Sequence, residues 1–294
     1  MTTITVKSPW VVALVVAGIV AYFLYLENTC LQVTKYEISC CNLPQDFDGF
    51  KIALVSDLHG NKFGDAQSGL VSAISEFEPD IIAIAGDLVD ERDFTLAPAL
   101  SLLEGIHGLA PAYYVCGNHE VCSGNLHSIQ TQLERFGVHA LRNQAISFTR
   151  GNSKLAVAGL DDPLNFETRF GQQKRHVGQI LSQITSHVAG ATFTILLSHR
   201  PEFIDTYAAH DISLVLSGHA HGGLVRLPGI GGLIAPGQGL MPRYTNGVYA
   251  SGNTVMVVSR GLGNSGALQV RIFNRPELVL ITLRANDELS FQTP

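Results

Sequence analysis

The sequence predicts an α/β fold with one or two layered sheets, and three observations carry that reading. Eight short apolar runs, rich in β-branched residues and bounded by turn formers, read as buried strands. They span residues 51–56, 80–85, 112–116, 154–158, 192–197, 212–216, 254–259 and 277–283. Amphipathic stretches lie between the early runs, and 29 Gly with 12 Pro supply tight turns. A chain of 294 residues is long enough for one large domain with a substantial core.

The elements follow in order. After the run at 51–56, Leu70, Val71, Ile74 and Phe77 share one helix face. Beyond the runs at 80–85 and 112–116, Leu126, Ile129, Leu133 and Phe136 define a second amphipathic helix. Residues 170–186 predict a third helix with Lys174, Arg175 and His176 grouped on it. It reads as a solvated connecting helix, the alternative being a cap over a site. The later strands follow one another with less helix between, as in a mixed sheet. No internal repeat is visible.

Composition narrows the class. Apolar residues make up 46% and charged residues 15%, which excludes a disordered chain. Lys+Arg is 19 against 25 Asp+Glu, a net charge of −6, so no nucleic-acid footprint or partner is indicated. Mean hydropathy is +0.21, which calls for a membrane-like segment. That segment is 8–26, which contains no charged residue. As a helix it is roughly 27–29 Å long, enough to cross the hydrocarbon core. Trp10, Tyr22 and Tyr25 sit near its ends, as interfacial aromatics do. A cleaved signal peptide is the alternative; the run is long for one, and no A-x-A-like site follows. The expected organisation is a membrane anchor at 1–27, a linker at 28–49 and a globular domain at 50–294. Lys7 and the amino terminus precede the span and Lys35 follows, a slight lean toward an extracytoplasmic domain. Cys30, Cys40, Cys41, Cys116 and Cys122 contain no C-x-x-C pair, so a zinc ribbon is excluded. Whether Cys116 and Cys122 bridge is left open by their spacing.

The polar chemistry collects at strand ends. Residues 51–56 run into Asp57-Leu58-His59-Gly60, and 80–85 into Gly86-Asp87. Residues 112–116 run into Gly117-Asn118-His119-Glu120, and 192–197 into Ser198-His199-Arg200. Residues 212–216 run into Gly218-His219-Ala220-His221-Gly222-Gly223. In α/β sheets, sites form outside the carboxyl ends of strands, so these tips can converge. Each alone is a bland turn or cap. Together they offer His, Asp and Asn without Cys, a donor set suited to divalent Mn, Fe or Zn rather than a thiolate site.

This ordered series resembles the calcineurin-like metallophosphoesterase superfamily, and all five blocks occur in the family order. The stretches Val258-Ser259-Arg260-Gly261-Leu262-Gly263 and Arg275-Pro276-Glu277 resemble its membrane-associated bacterial branch, which contains anchored phosphodiesterases and relatives that hydrolyse UDP-2,3-diacylglucosamine. The resemblance implies a four-layer α/β/β/α sandwich and two divalent metal ions (Mn, Zn, Fe or Mg). Carried over by motif, Asp57, His59 and His221 hold one metal, Asn118, His199 and His219 the other, and Asp87 bridges both. His119 falls on the leaving-group side as general acid or electrostatic stabiliser, with Glu120 a candidate to orient it.

The function this implies is hydrolysis of a phosphodiester or pyrophosphate bond, with a lipid-linked substrate favoured by the anchor. The competing reading is a non-catalytic scaffold of the same fold that binds protein partners at the membrane. It is disfavoured because every motif position is filled. An H-E-x-x-H hydrolase is excluded by the missing motif. Arg200, Arg243 and Arg260 lie near the motifs but read as ion-pair residues, and Asp161-Asp162-Pro163 as a turn.

Overall fold

The apolar runs assemble into two sheets in the computed structural model, which describes residues 9–166, 169–188, 190–264, 270–286 and 288–292. The first sheet takes β1 (Gln32–Cys40), β2 (Lys51–Val55), β3 (Ile81–Ile84), β4 (Ala112–Tyr114) and β5 (His139–Ala140). The second takes β6 (Ala145–Arg150), β7 (Ser153–Leu160), β8 (Phe193–Ser198) and β9 (Leu214–Ser217). Four two-residue strands follow: β10 (Arg226–Leu227), β11 (Gly231–Gly232), β12 (Ile234–Ala235) and β13 (Gly239–Leu240). β14 (Gly247–Ser251) and β15 (Thr254–Val258) return to the second sheet, and β16 (Glu277–Ala285) and β17 (Ser290–Gln292) to the first. The orders are β17-β1-β16-β2-β3-β4-β5 and β14-β15-β9-β8-β7-β6.

Strand periodicity explains the layering. Ile52 and Leu54 of β2 point between the sheets, against Leu155, Val157, Ile195 and Leu197. Their neighbours Ala53 and Val55 point outward to a helical layer. That layer holds α2 (Ser68–Phe77), α3 (Ala97–Ile106) and α5 (Leu126–Arg135), through Leu70, Ile74, Leu102, Ile129 and Leu133. The second sheet is covered by α6 (Phe170–His187) and α7 (Ile204–Ala208). The result is the expected α/β/β/α sandwich. α6 buries Val177, Leu181 and Ile184 on the sheet, so it is a connecting helix and not a cap. The parallel pairing of β2, β3 and β4 puts Val55 beside Ile84 and Ile84 beside Tyr114. β8 and β9 also pair in parallel. The strand tips of each sheet therefore end together.

The expected linker at 28–49 is not one. β1 pairs in parallel with β16 from Gln32↔Glu277 to Cys40↔Ala285. Tyr36, Ile38 and Cys40 enter the core between the sheets. The strand's alternation is hidden in sequence by Lys35 and Glu37, which interleave with its apolar face. α1 (Pro9–Thr29) thus runs almost directly into the sheet. Its last turn is part of the fold: Glu27 is buried, its carboxylate accepting the Asn274 N–H at 2.7 Å and pairing with Arg275 at 3.0 Å. Asn28 Oδ1 accepts the Arg271 N–H at 2.8 Å. Arg275 is partly solvated, so the buried hydrogen bond carries most of the effect. Glu27→Ala is expected to lower stability by about 1–3 kcal/mol, read as a fall in Tm in detergent solution. An unchanged Tm would show that the helix end only tethers the domain.

Candidate metal centre

The strand tips turn sharply into one another. Asp57 N–H donates to Gly86 O at 3.0 Å, and His59 N–H to Asp87 O at 3.1 Å, locking the first two tips together. Five residues of the motifs take left-handed backbone: Asp57 (φ 51°), His59 (45°), Asp87 (54°), His219 (67°) and His221 (46°). Such conformations are sparsely populated for residues with a Cβ and persist only where surroundings hold them. Two glycines allow the close approach. A Cβ at Gly117 would strike Asp87 Oδ1, and one at Gly218 would strike Asp57 Oδ2.

Asp57, His59, Asp87 and His221 place one ligand atom each within 4.8 Å of one another. Asp87, His199 and His219 do the same, so Asp87 belongs to both groups. Asn118 stands at the start of α4 (Asn118–Cys122), next to His119, whose N–H donates to Asp87 Oδ1 at 2.9 Å. Asn118 Oδ1 and His219 Nε2 are buried without a hydrogen-bond partner, an arrangement expected of ligand atoms. Imidazole nitrogen, carboxylate oxygen and amide oxygen together fit a divalent cation such as Mn, Zn, Fe or Mg. Cys116 lies in the core with the helices, and all five cysteines are unpaired.

The electrostatics suit cation binding. Burial would depress the His199 imidazole, but Asp87 Oδ2 stands 3.0 Å from its Nε2 and raises it to about 10. His199 Nδ1 faces Ala85 O at 2.7 Å, leaving Nε2 as the ligand atom. Burial likewise opposes ionisation of Asp87, yet His199 and His59 hold its carboxyl well below the usual range. Burial, helped by the His59 and Arg271 charges, takes His221 down to about 3 even with Asp57 opposite at 3.4 Å. Most of these side chains are essentially inaccessible, which strengthens every charge interaction among them.

Glu120 does not orient His119, as the sequence suggests. Its carboxylate accepts the backbone N–H groups of Asp87 (2.8 Å), Gly117 (2.8 Å) and Val89 (3.2 Å), tying the second strand tip to the third. Burial and then the Asp87 charge push it up to about 7. The carboxylate near His119 is Asp90, which sequence reading missed. Asp90 lies 3.6 Å from His59 Nδ1 and 3.8 Å from His119 Nδ1. Its signal was only spacing, three residues after Asp87, in a run that reads as loop. The Glu91 N–H donates to His119 Nδ1 at 3.2 Å. A neutral His119 therefore carries its proton on Nε2.

Two of the arginines are committed elsewhere, as ion-pair residues. Arg200 is clamped by Asp162 at 2.7 and 3.1 Å, and Arg260 pairs with Glu277 at 3.0 Å. Asp161 pairs with Arg142 at 2.7 Å, while Asp162 also caps the turn at Leu164. Arg243 packs over the Tyr244 ring.

The calcineurin-like phosphoesterase model matches residues 50–223. The metallophosphoesterase YkuE of Bacillus subtilis (strain 168) is 30% identical over 284 residues, covering 94% of this chain and 93% of its own. A Danio rerio transmembrane protein with metallophosphoesterase domain is 29% identical over 284 residues, 93% of this chain and 62% of its own. Phosphodiesterase YaeI of Escherichia coli (strain K12) is 27% identical over 239 residues, 80% of this chain and 82% of its own. With more than half its length matched by that model and a full-length relative at this identity, the chain belongs to the calcineurin-like phosphoesterase family.

Proposed function

We propose that this chain is a membrane-anchored phosphodiesterase that hydrolyses a phosphodiester or pyrophosphate bond, with a lipid-linked compound such as UDP-2,3-diacylglucosamine as the substrate class. The observation that carries the reading is the pair of buried ligand groups sharing Asp87. Asp57, His59 and His221 would hold one cation, and Asn118, His199 and His219 the other. Asp87, common to both ligand groups, would offset the repulsion of two nearby cations. When bound, such a pair supplies Lewis acidity to the phosphoryl oxygens and makes water acidic enough to serve as nucleophile.

The rest falls to side chains. His119, with Nδ1 held by the Glu91 amide, presents an Nε2 proton to the leaving oxygen. Glu120 and the Gly86–Asp57 backbone bond keep the tips at fixed separation, so the ligands need not reorganise during turnover. α1, long and apolar enough to cross a membrane, holds the domain at the bilayer, with the catalytic side extracytoplasmic on the charge asymmetry.

Activity of the purified protein with added Mn²⁺, Zn²⁺ or Mg²⁺ tests the reading on a simple diester, a simple monoester and UDP-2,3-diacylglucosamine. Metal-dependent turnover of the diester over the monoester supports it. Faster monoester turnover overturns the phosphodiesterase assignment, and no turnover with any metal favours the scaffold.

Acidity should weaken cation binding. In the cation-free site His199 titrates at about 10, so it is protonated at neutral pH and must release that proton to ligate. Apparent affinity is therefore expected to rise about tenfold per pH unit between about pH 6 and 8. Competition with a chelator across that range measures it. A flat profile would mean that His199 is not a ligand.

A further inference from the structure

Among the described residues outside α1, the four most exposed large apolar side chains are Leu240, Met241, Ile230 and Phe273, at 78%, 65%, 58% and 48%. They sit on one hydrogen-bonded ribbon. Val225 bridges to Ile272, the neighbour of Phe273. Leu233 N–H donates to Val225 O at 3.0 Å, and Met241 N–H to Leu233 O at 2.9 Å. β10 pairs with β11 and β12 with β13, which brings Ile230 and Leu240 into the same ribbon.

One end of the ribbon touches α1. The Phe273 ring lies 5.1 Å from that of Phe23, one turn before the buried Glu27. The other end overhangs the metal centre, where a Cβ at Gly237 would come within 3.5 Å of His219 Nε2. Residues 224–246 contain Arg226 and Arg243 and no Asp or Glu.

We propose that this ribbon rests in the interfacial region of the bilayer that α1 enters, so that the mouth of the metal centre opens onto the lipid surface. The inference rests on the reading of α1 as a spanning helix and of the metal centre as a phosphoesterase site. The bilayer is the occupant because Phe273 packs on α1 itself, and the medium that surrounds Phe23 reaches Phe273. Exposed Tyr22 and Tyr25 in the same part of the helix suit the headgroup level. A segment, 224–246, that carries arginines and no carboxylate of its own suits anionic lipid, and exposed apolar surface beside a polar site marks an interaction face. The substrate class that follows is a phosphate ester carried by a lipid, presented sideways from the membrane.

Fluorescence of the full-length chain in vesicles of phosphatidylcholine and phosphatidylglycerol tests this independently of catalysis. Trp10 is the single tryptophan, so brominated lipid that quenches it reports insertion of α1. Leu240→Trp in a Trp10→Phe background reports the ribbon, and Leu109→Trp reports the opposite end of the strands. The expected result is blue-shifted emission and lipid quenching at position 240, with neither at 109. Quenching at Trp10 but not at 240 overturns the ribbon while leaving the anchor intact. No quenching at either overturns both. A shift at 240 that follows protein concentration and ignores brominated lipid assigns the face to a second copy and overturns the proposal.

Discussion

Asp87→Ala is expected to empty both cation positions together and to lower turnover further than loss of any terminal ligand. Asp87 is the residue common to both ligand groups, and its Oδ1 also holds the His119 amide that begins the third tip. Losing one electrostatic contact costs roughly 10²–10³-fold, and removal of both cations should exceed that. His59→Ala, which removes a ligand from one of these two groups and not the other, should retain one cation. Elemental analysis of the two variants beside wild type makes the comparison. Asp87→Asn keeps an oxygen for the His119 N–H and so separates loss of metal from loss of the turn. Two tightly held ions in Asp87→Ala would refute the bridging assignment.

The second large effect belongs to His119. His119→Ala is expected to keep its metals and lose rate by about 10²–10⁴-fold, the usual worth of a general acid. The loss should shrink on esters with good leaving groups, which depart without a proton. Equal losses on activated and unactivated diesters would remove the acid role and leave positioning, since the ring also packs edge-on against His59 at 4.5 Å. Asp90→Asn provides a companion. It leaves the Glu91 amide on Nδ1 and removes a charge that faces both His119 and His59, so its metal content is measured beside its rate.

Most of the core was legible because β2, β3, β4, β7, β8, β9, β15 and β16 are buried on both faces and read as uninterrupted apolar runs. β1 and β6 were not, because polar residues such as Lys35, Glu37 and Arg150 occupy their outer faces. α3 escaped too, since its apolar residues run nearly all round the helix and show no clean period. The five tips were readable because parallel strands must deliver their carboxyl ends to one side. Asp90 and Glu120 were harder to place. A carboxylate's partner can be an imidazole or a distant backbone amide, and spacing in sequence does not choose between them. Asn274, fully buried and donating to His221 O at 2.7 Å, carried no signal at all. Its role depends on a loop brought back by β16.

The pairing of β1 with β16 sets an order on synthesis. β1 is made well before its neighbour along the first sheet, since Gln32 stands opposite Glu277 and Cys40 opposite Ala285. β2 likewise waits for β16 on one side. Until β16 is made, the inner edge of β2 and the apolar face of β1 have no partner. Contacts this distant in sequence form slowly, because a very long loop must close before they repay its entropy. The nascent domain therefore keeps an open sheet edge until β16 has been made. The last strands close it, and with them come the Arg271–Asn274 contacts that join the helix end to the His221 loop.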